Sequence, residues 1–119
     1  MQFFKLTDGI VELAKPEISL YPTIRAIISR DKGGKVAGDH DGRKKVYAFR
    51  ELTYVYFMCD FNAYPIQHGL TAKEAHEYAV VNSQLESNYT PDDVIKLLMT
   101  QYSREHLSSA KQSARGLLR

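Results

Sequence analysis

Apolar positions along the chain recur with two different periods, and a small number of turn-forming residues interrupt them. Near the N-terminus, Phe3, Phe4 and Leu6 are separated from Ile10, Val11 and Leu13 by Thr7-Asp8-Gly9. An Asp-Gly step between two short apolar runs favours a tight turn, because both residues tolerate the positive φ that such a turn requires. The pattern predicts a short hairpin or an extended arm within residues 1–21. Lys15-Pro16 and Tyr21-Pro22 follow, and a residue before proline is held away from helical geometry. This stretch therefore reads as an extended strap.

Beyond the strap the period becomes helical. Pro22 suits a first helical position, and Ile24, Ile27 and Ile28 share a face, which predicts a helix over 23–30. Residues 31–42 hold four of the seven glycines and little apolar bulk, the composition of a flexible loop. From Arg43 to Phe61 a long helix is predicted, with Ala48, Leu52, Val55 and Cys59 on one stripe and Tyr47, Tyr54, Met58 and Phe61 on another. Tyr56 and Phe57 fill most of the remaining circumference. A helix apolar nearly all round is either central in a core or shared with a partner.

Pro65 and Gly69 then break the chain, and Thr71-Ala72-Lys73-Glu74 has the spacing of a capping box ahead of a helix over 72–85, with Tyr78, Val81 and Leu85 at helical spacing. Thr90-Pro91-Asp92-Asp93 predicts another start, with Thr90 as the cap and carboxylates in the positive first turn. This last helix is placed at 91–115. Its second half offers only Leu107, Ala110, Ala114 and Leu117 among serines and a glycine, so it either frays or packs closely against another chain. The expected fold is mainly α: four helices with an N-terminal extended arm or short hairpin, in one small domain spanning 1–119.

Composition narrows the class without choosing a function. At 119 residues, 44% hydrophobic and 25% charged, the chain resembles an average folded domain. A net charge of +2 is too small to make the whole molecule a polyanion binder. The single cysteine, Cys59, cannot close an internal disulfide. No apolar run approaches the length of a membrane span. Residues 1–15 carry Lys5, Asp8 and Glu12 without a signal-peptide core, so the chain is expected to stay where it is made and to have no membrane partner.

Motifs that would carry enzymatic chemistry fail on their spacing. Gly33-Gly34-Lys35-Val36-Ala37-Gly38 is followed by Asp39 and His40 where a phosphate loop needs lysine and a hydroxyl. Aligning Gly42 with the turn glycine of a calcium loop leaves Ala37 and Ala48 at two ligand positions. His40, His68, His76 and His106 show no i, i+4 pair, and Cys59 lies among apolar residues as an inert thiol. No enzyme, cofactor or metal is expected.

Two basic groups and one aromatic segment remain as candidate contacts. Arg43, Lys44 and Lys45 would lie in the first turn of the long helix, where the macrodipole disfavours each by about 0.3–1 kcal/mol. Asp41 is expected to cap that helix and Asp39 to offset the cations. Arg104, Lys111, Arg115 and Arg119 share a face of the last helix. Together Arg43, Lys44, Lys45, Arg104, Lys111 and Arg115 are candidates for contact with an acidic partner or phosphate. The segment 46–65 holds four of the eight tyrosines, and tyrosine is favoured where surfaces meet. Tyr47, Tyr54, Tyr56, Phe57, Phe61 and Tyr64 are the candidate partner interface, with a self-contained aromatic core as the alternative.

Gly42-Arg43-Lys44-Lys45, Ala48-Phe49-Arg50-Glu51-Leu52 and Tyr54-Val55-Tyr56-Phe57-Met58-Cys59-Asp60-Phe61, preceded by a Leu-Tyr-Pro strap and an Arg-Asp-Lys loop, resemble small virion structural proteins of tailed bacteriophages. The resemblance covers about residues 18–65 and departs at 60–65, where the family pattern has a Ser-Pro-Tyr-like break. It implies a non-enzymatic role in virion assembly (head-tail connector, tail or baseplate), with other virion proteins as partners and many copies per particle. It also implies that the N-terminal arm reaches a neighbour and that the 31–42 loop orders on assembly. The alternative is a small helical nucleic-acid-binding or regulatory module using the two basic groups.

Overall fold

A computed structural model describes the backbone of residues 3–117, with side chains described through residue 105. The chain is mainly α with an N-terminal hairpin. Strands β1 (Phe4–Thr7) and β2 (Ile10–Leu13) pair antiparallel, Phe4 opposite Leu13 and Thr7 opposite Ile10. Asp8 and Gly9 both have positive φ, 52° and 85°, the pair of left-handed residues that a two-residue turn matched to strand twist requires. The strap is a single 3-10 segment, Pro16–Leu20, rather than extended chain. Only its pre-proline flanks Lys15 and Tyr21 are extended, so the restriction before proline acted on those two residues and left the interval between them free to turn.

Helix α1 (Pro22–Arg30) is followed after the loop by α2 (Val46–Cys59), a single-turn α3 (Tyr64–Gln67), α4 (Ala72–Asn82) and α5 (Asp93–Leu117). α2 is the centre of the fold and packs against the hairpin and all the other helices. Its Ala48, Leu52, Tyr54 and Val55 are buried, as are Ile24 and Ile27 of α1 and Ile95, Leu98 and Tyr102 of α5. The hairpin is fastened to α2 by the Thr53 hydroxyl, which accepts from the Val11 amide at 3.1 Å and donates to the Phe49 carbonyl at 2.7 Å. Phe3 and Phe4 lie against the Tyr102 ring, with centroids 5.2 and 5.5 Å away. The base of the arm is thus docked on its own α5, since two phenylalanines this close to a buried tyrosine gain more from the core than from solvent.

The 31–42 segment corrects the flexible-loop expectation. The Asp31 carboxylate accepts from the amides of Gly33 and Ala48, and that of Asp39 accepts from Lys44 and Val46, at 3.0–3.1 Å. Both aspartates are buried. They satisfy amides at the start of α2 that no intrahelical carbonyl can reach. The helix therefore begins at Val46 and not at Arg43, and Asp31 and Asp39 hold its N-terminus while Asp41 binds Arg43, at its amide and its guanidinium. α5 also starts later than expected. Asp92, not Thr90, accepts from the Ile95 amide, because a carboxylate one turn before the apolar run outcompetes the threonine upstream.

α4 begins at the expected capping box, Thr71 and Glu74 each accepting from the other's amide at 3.2 and 3.0 Å. It ends at Asn82, with Ser83 as its last, non-helical residue. The Ser83 hydroxyl is fully buried with no hydrogen-bond partner among the described residues. An unsatisfied buried hydroxyl costs about 1–3 kcal/mol, so Ser83→Ala is expected to raise the urea midpoint. A lowered midpoint would show that the hydroxyl has a partner after all.

Candidate assembly interface

The six aromatic candidates divide between interior and surface. Tyr54, Tyr56 and Phe57 are buried, covered by the chain's own elements: the Tyr54 ring meets Tyr89 and His76 edge-on, and Phe57 meets Tyr78 at 5.4 Å. As an interface these three are corrected, since they are buried within the chain, Tyr54 and Phe57 under α4 and the α4–α5 connection, and Tyr56 with its ring against Phe57 at 5.6 Å. Tyr47 is half-buried, its hydroxyl donating to Glu86 at 2.7 Å. Phe61 and Tyr64 remain at the surface.

Those two belong to an exposed corner where the end of α2, α3 and α4 meet. The Tyr64 ring stacks on Tyr78 at 4.8 Å with 12° between planes, and on His68 at 4.0 Å. Around this stack Phe61 is 39%, Tyr64 46%, Ile66 39% and Val81 73% exposed, so large apolar side chains accumulate here instead of being scattered singly. The rings are held rather than loose, because Pro65 of α3 is buried and the Phe61 carbonyl accepts from Gln67. Sequence reasoning placed Tyr78, Val81 and Leu85 at helical spacing without assigning them a face, and it named none of Ile66, His68, Tyr78 and Val81 as a contact. The buried face is Ala75, Ala79 and Val80. The i, i+4 alanine pair was the available signal, since small residues let α4 lie close to α2.

A second concavity, of about 360 Å³, is lined by Arg30, Lys35, Tyr47, Glu51, Glu86, Asn88, Tyr89, Thr90 and Asp92. Here Arg30 donates to both oxygens of buried Glu51 at 3.1 and 3.0 Å and to Asp92 at 2.6 Å, and the Tyr89 hydroxyl donates to Glu51 at 2.9 Å. Burial works against the Arg30 charge, but the Asp92 hydrogen bond and the Glu51 charge outweigh it and hold the guanidinium pKa above its ordinary value. The same pairing, together with the Ile95 amide, outweighs desolvation at Asp92 and keeps its carboxyl pKa low. These polar groups are partnered with one another and tie α1, α2 and α5 together. They form a structural clamp between those elements.

The basic candidates are not gathered into one site. Arg43 pairs with Asp41 at 2.9 Å, both exposed, and Lys45 turns inward to donate to the Asp31 carbonyl at 2.7 Å. Lys45 also has φ 53°, and all three cations precede α2 instead of lying in its first helical turn. Asp39 holds the Lys44 and Val46 amides and Asp31 the Ala48 amide at this end of α2, so a contact with a phosphate or acidic partner here would fall to the exposed side chains of Arg43 and Lys44. Lys44 and Arg104 are exposed. The side chains of Lys111 and Arg115 lie outside the described residues. Among the described residues no cluster of His, Cys, Asp and Glu could hold a metal ion, and no helix is long and apolar enough to cross a membrane.

The tyrosine hydroxyls tie stability to alkaline pH. Burial raises the Tyr54 pKa to about 12. Burial also raises those of Tyr47, Tyr89 and Tyr102, reinforced at Tyr47 by its hydrogen bond to Glu86, at Tyr89 by the Glu51 charge and at Tyr102 by its bond to Asp60. In the unfolded chain tyrosines titrate near ~10, so between the two values the unfolded state releases protons that the folded state keeps. Stability is therefore full below about pH 10 and falls as pH rises above it. Urea midpoints at pH 9 and pH 11 check this, the expected result being a lower midpoint at pH 11. Burial likewise pushes the Cys59 thiol up to about 11, against a hydrogen bond from Ser103, which leaves it a packing residue rather than a nucleophile.

No protein-family model, curated protein or solved structure matches the chain.

Proposed function

We propose that the chain is a non-enzymatic structural subunit of a tailed-phage virion, present in many copies and acting through contacts with other virion proteins. The observation that carries the reading is the exposed aromatic corner. Phe61, Tyr64, Ile66 and Val81 are exposed in a chain whose other described aromatic residues are buried or half-buried, and rigid, amphipathic aromatic groups of this kind make the central contacts of protein interfaces. The resemblance of residues 18–65 to small phage virion proteins supports the same class.

The reading is tested in particles purified by density gradient from cells producing the whole phage. The chain is expected to band with DNA-filled particles at a fixed ratio to the other structural proteins. Recovery only from the soluble fraction would sink it. A nucleic-acid-binding module would instead bind DNA as an isolated chain, with affinity falling steeply as salt rises.

A further inference from the structure

Charge is segregated along the chain in a way that its net value hides. On α4, beside the exposed corner, Glu74 and Glu77 stand against one lysine, Lys73, whereas residues 104–119 carry Arg104, Lys111, Arg115 and Arg119 against Glu105. On α4, Glu74, Tyr78 and Val81 follow one another at i, i+4 and i+7, with Glu77 beside them and Tyr64 of α3 stacked on Tyr78. The basic stretch is the second half of α5, helical to Leu117. In it Leu107, Ala110, Ala114 and Leu117 recur at steps of three and four on one face, flanked by Lys111 and Arg115. That is the anchor spacing of a helix that lays an apolar stripe into a partner surface, and its small residues allow close approach. The lengths also agree: at about 1.5 Å per residue, residues 106–117 span roughly 18 Å and the eleven residues of α4 span roughly 17 Å.

We infer that copies of the chain associate head to tail, the basic second half of α5 in one copy lying along the acidic, aromatic face of α3 and α4 in the next. The inference rests on the assembly reading above and names its partner, a second copy. Because the two contacting surfaces differ, the contact is heterologous, and repeating it generates a ring or an open helical array. Opposite charges fix register and polarity, while Tyr64, Tyr78 and Val81 supply the apolar contact. Association should weaken as salt rises.

Sedimentation equilibrium of the full chain tests this with two double variants. Lys111→Glu with Arg115→Glu makes the tail acidic, and Glu77→Lys with Val81→Lys makes the corner basic. The wild-type chain is expected to show an average mass rising with concentration. Each double variant should associate at least about tenfold more weakly, since like charges then face each other. An equimolar mixture of the two should recover association, because each tail again meets a corner of opposite charge. Circular dichroism of each variant separates loss of contact from loss of fold. A wild-type chain that stays monomeric, variants that associate as the wild type does, or a mixture that stays monomeric would each overturn the inference. A chain that bands with particles yet is monomeric when pure would overturn this inference alone and leave the assembly reading standing.

Discussion

Tyr102→Ala is expected to cost about 4 kcal/mol of folding stability, near the upper end for removing a large buried side chain and a large part of what a small domain possesses. Tyr102 is completely buried and joins three elements that are distant in sequence. Its ring lies against Phe3 and Phe4 of the N-terminal arm, and its hydroxyl donates to the carboxylate of buried Asp60, the residue that ends α2. Alanine would leave a cavity beneath the hairpin and remove a donor from a carboxylate with little access to water. Tyr102→Phe separates the two effects: the ring stays and only the donor is lost. Asp60 still accepts from the Asn62 amide at 2.8 Å, so the phenylalanine variant should lose about 1–3 kcal/mol. Urea denaturation of both variants measures the split. A phenylalanine variant as stable as the wild type would mean that the Asp60 bond adds nothing net, and an alanine variant no worse than the phenylalanine one would mean that the arm is not anchored on this ring.

The Asp60–Tyr102 pair also shows where the sequence is legible and where it is not. Local signals were readable because their physics is local. Asp8-Gly9 makes a two-residue turn whatever surrounds it, and the Thr71–Glu74 box closes within one helical turn. The helical periods around Ile24, Leu52 and Ile95 gave the right elements to within a few residues. What could not be read is pairing between residues 21 to 42 positions apart, which has no periodicity. Asp60 and Tyr102 belong to this class, as do Arg30 with Glu51 and Tyr89, and so does the cover over Tyr54 and Phe57. The all-round apolar surface of α2 was correctly seen as demanding cover, but one sequence cannot say whether that cover comes from the chain itself. For Tyr54, Tyr56 and Phe57 it does. The corner at Tyr64 was half visible: its aromatic residues were named from the 46–65 segment, while Tyr78 and Val81 were hidden because i, i+3 spacing on a helix describes an exposed stripe as well as a buried one.

The loop between α1 and α2 was misread for a related reason, and it yields the second large effect. Glycine-rich composition describes a mobile loop and a tightly crossed one equally well, and only the geometry distinguishes them. Gly33 and Gly34 have nearly identical backbone angles, φ 85° and 84°, so alanine at either position meets the same left-handed penalty of about 1–2 kcal/mol. Their surroundings differ. A Cβ on Gly34 would meet nothing within 4 Å, whereas one on Gly33 would stand 2.2 Å from the Gly42 amide nitrogen and 2.3 Å from the His40 carbonyl oxygen. Those are backbone atoms, which no rotamer change can move aside. Opening the crossing would also draw Asp31 away from the Ala48 amide and so release part of the start of α2. Gly34→Ala is therefore expected to lose only the shared penalty of about 1–2 kcal/mol, and Gly33→Ala about 3 kcal/mol or more, with faster hydrogen exchange at the amides of Lys44, Val46 and Ala48. Equal losses in the two variants would show that the chain does not cross itself here, and the loop would again be the flexible segment that its composition suggested. Unequal losses would mean that the surface between α1 and α2 is already in place before any partner arrives, so that ordering it adds no entropic cost to assembly.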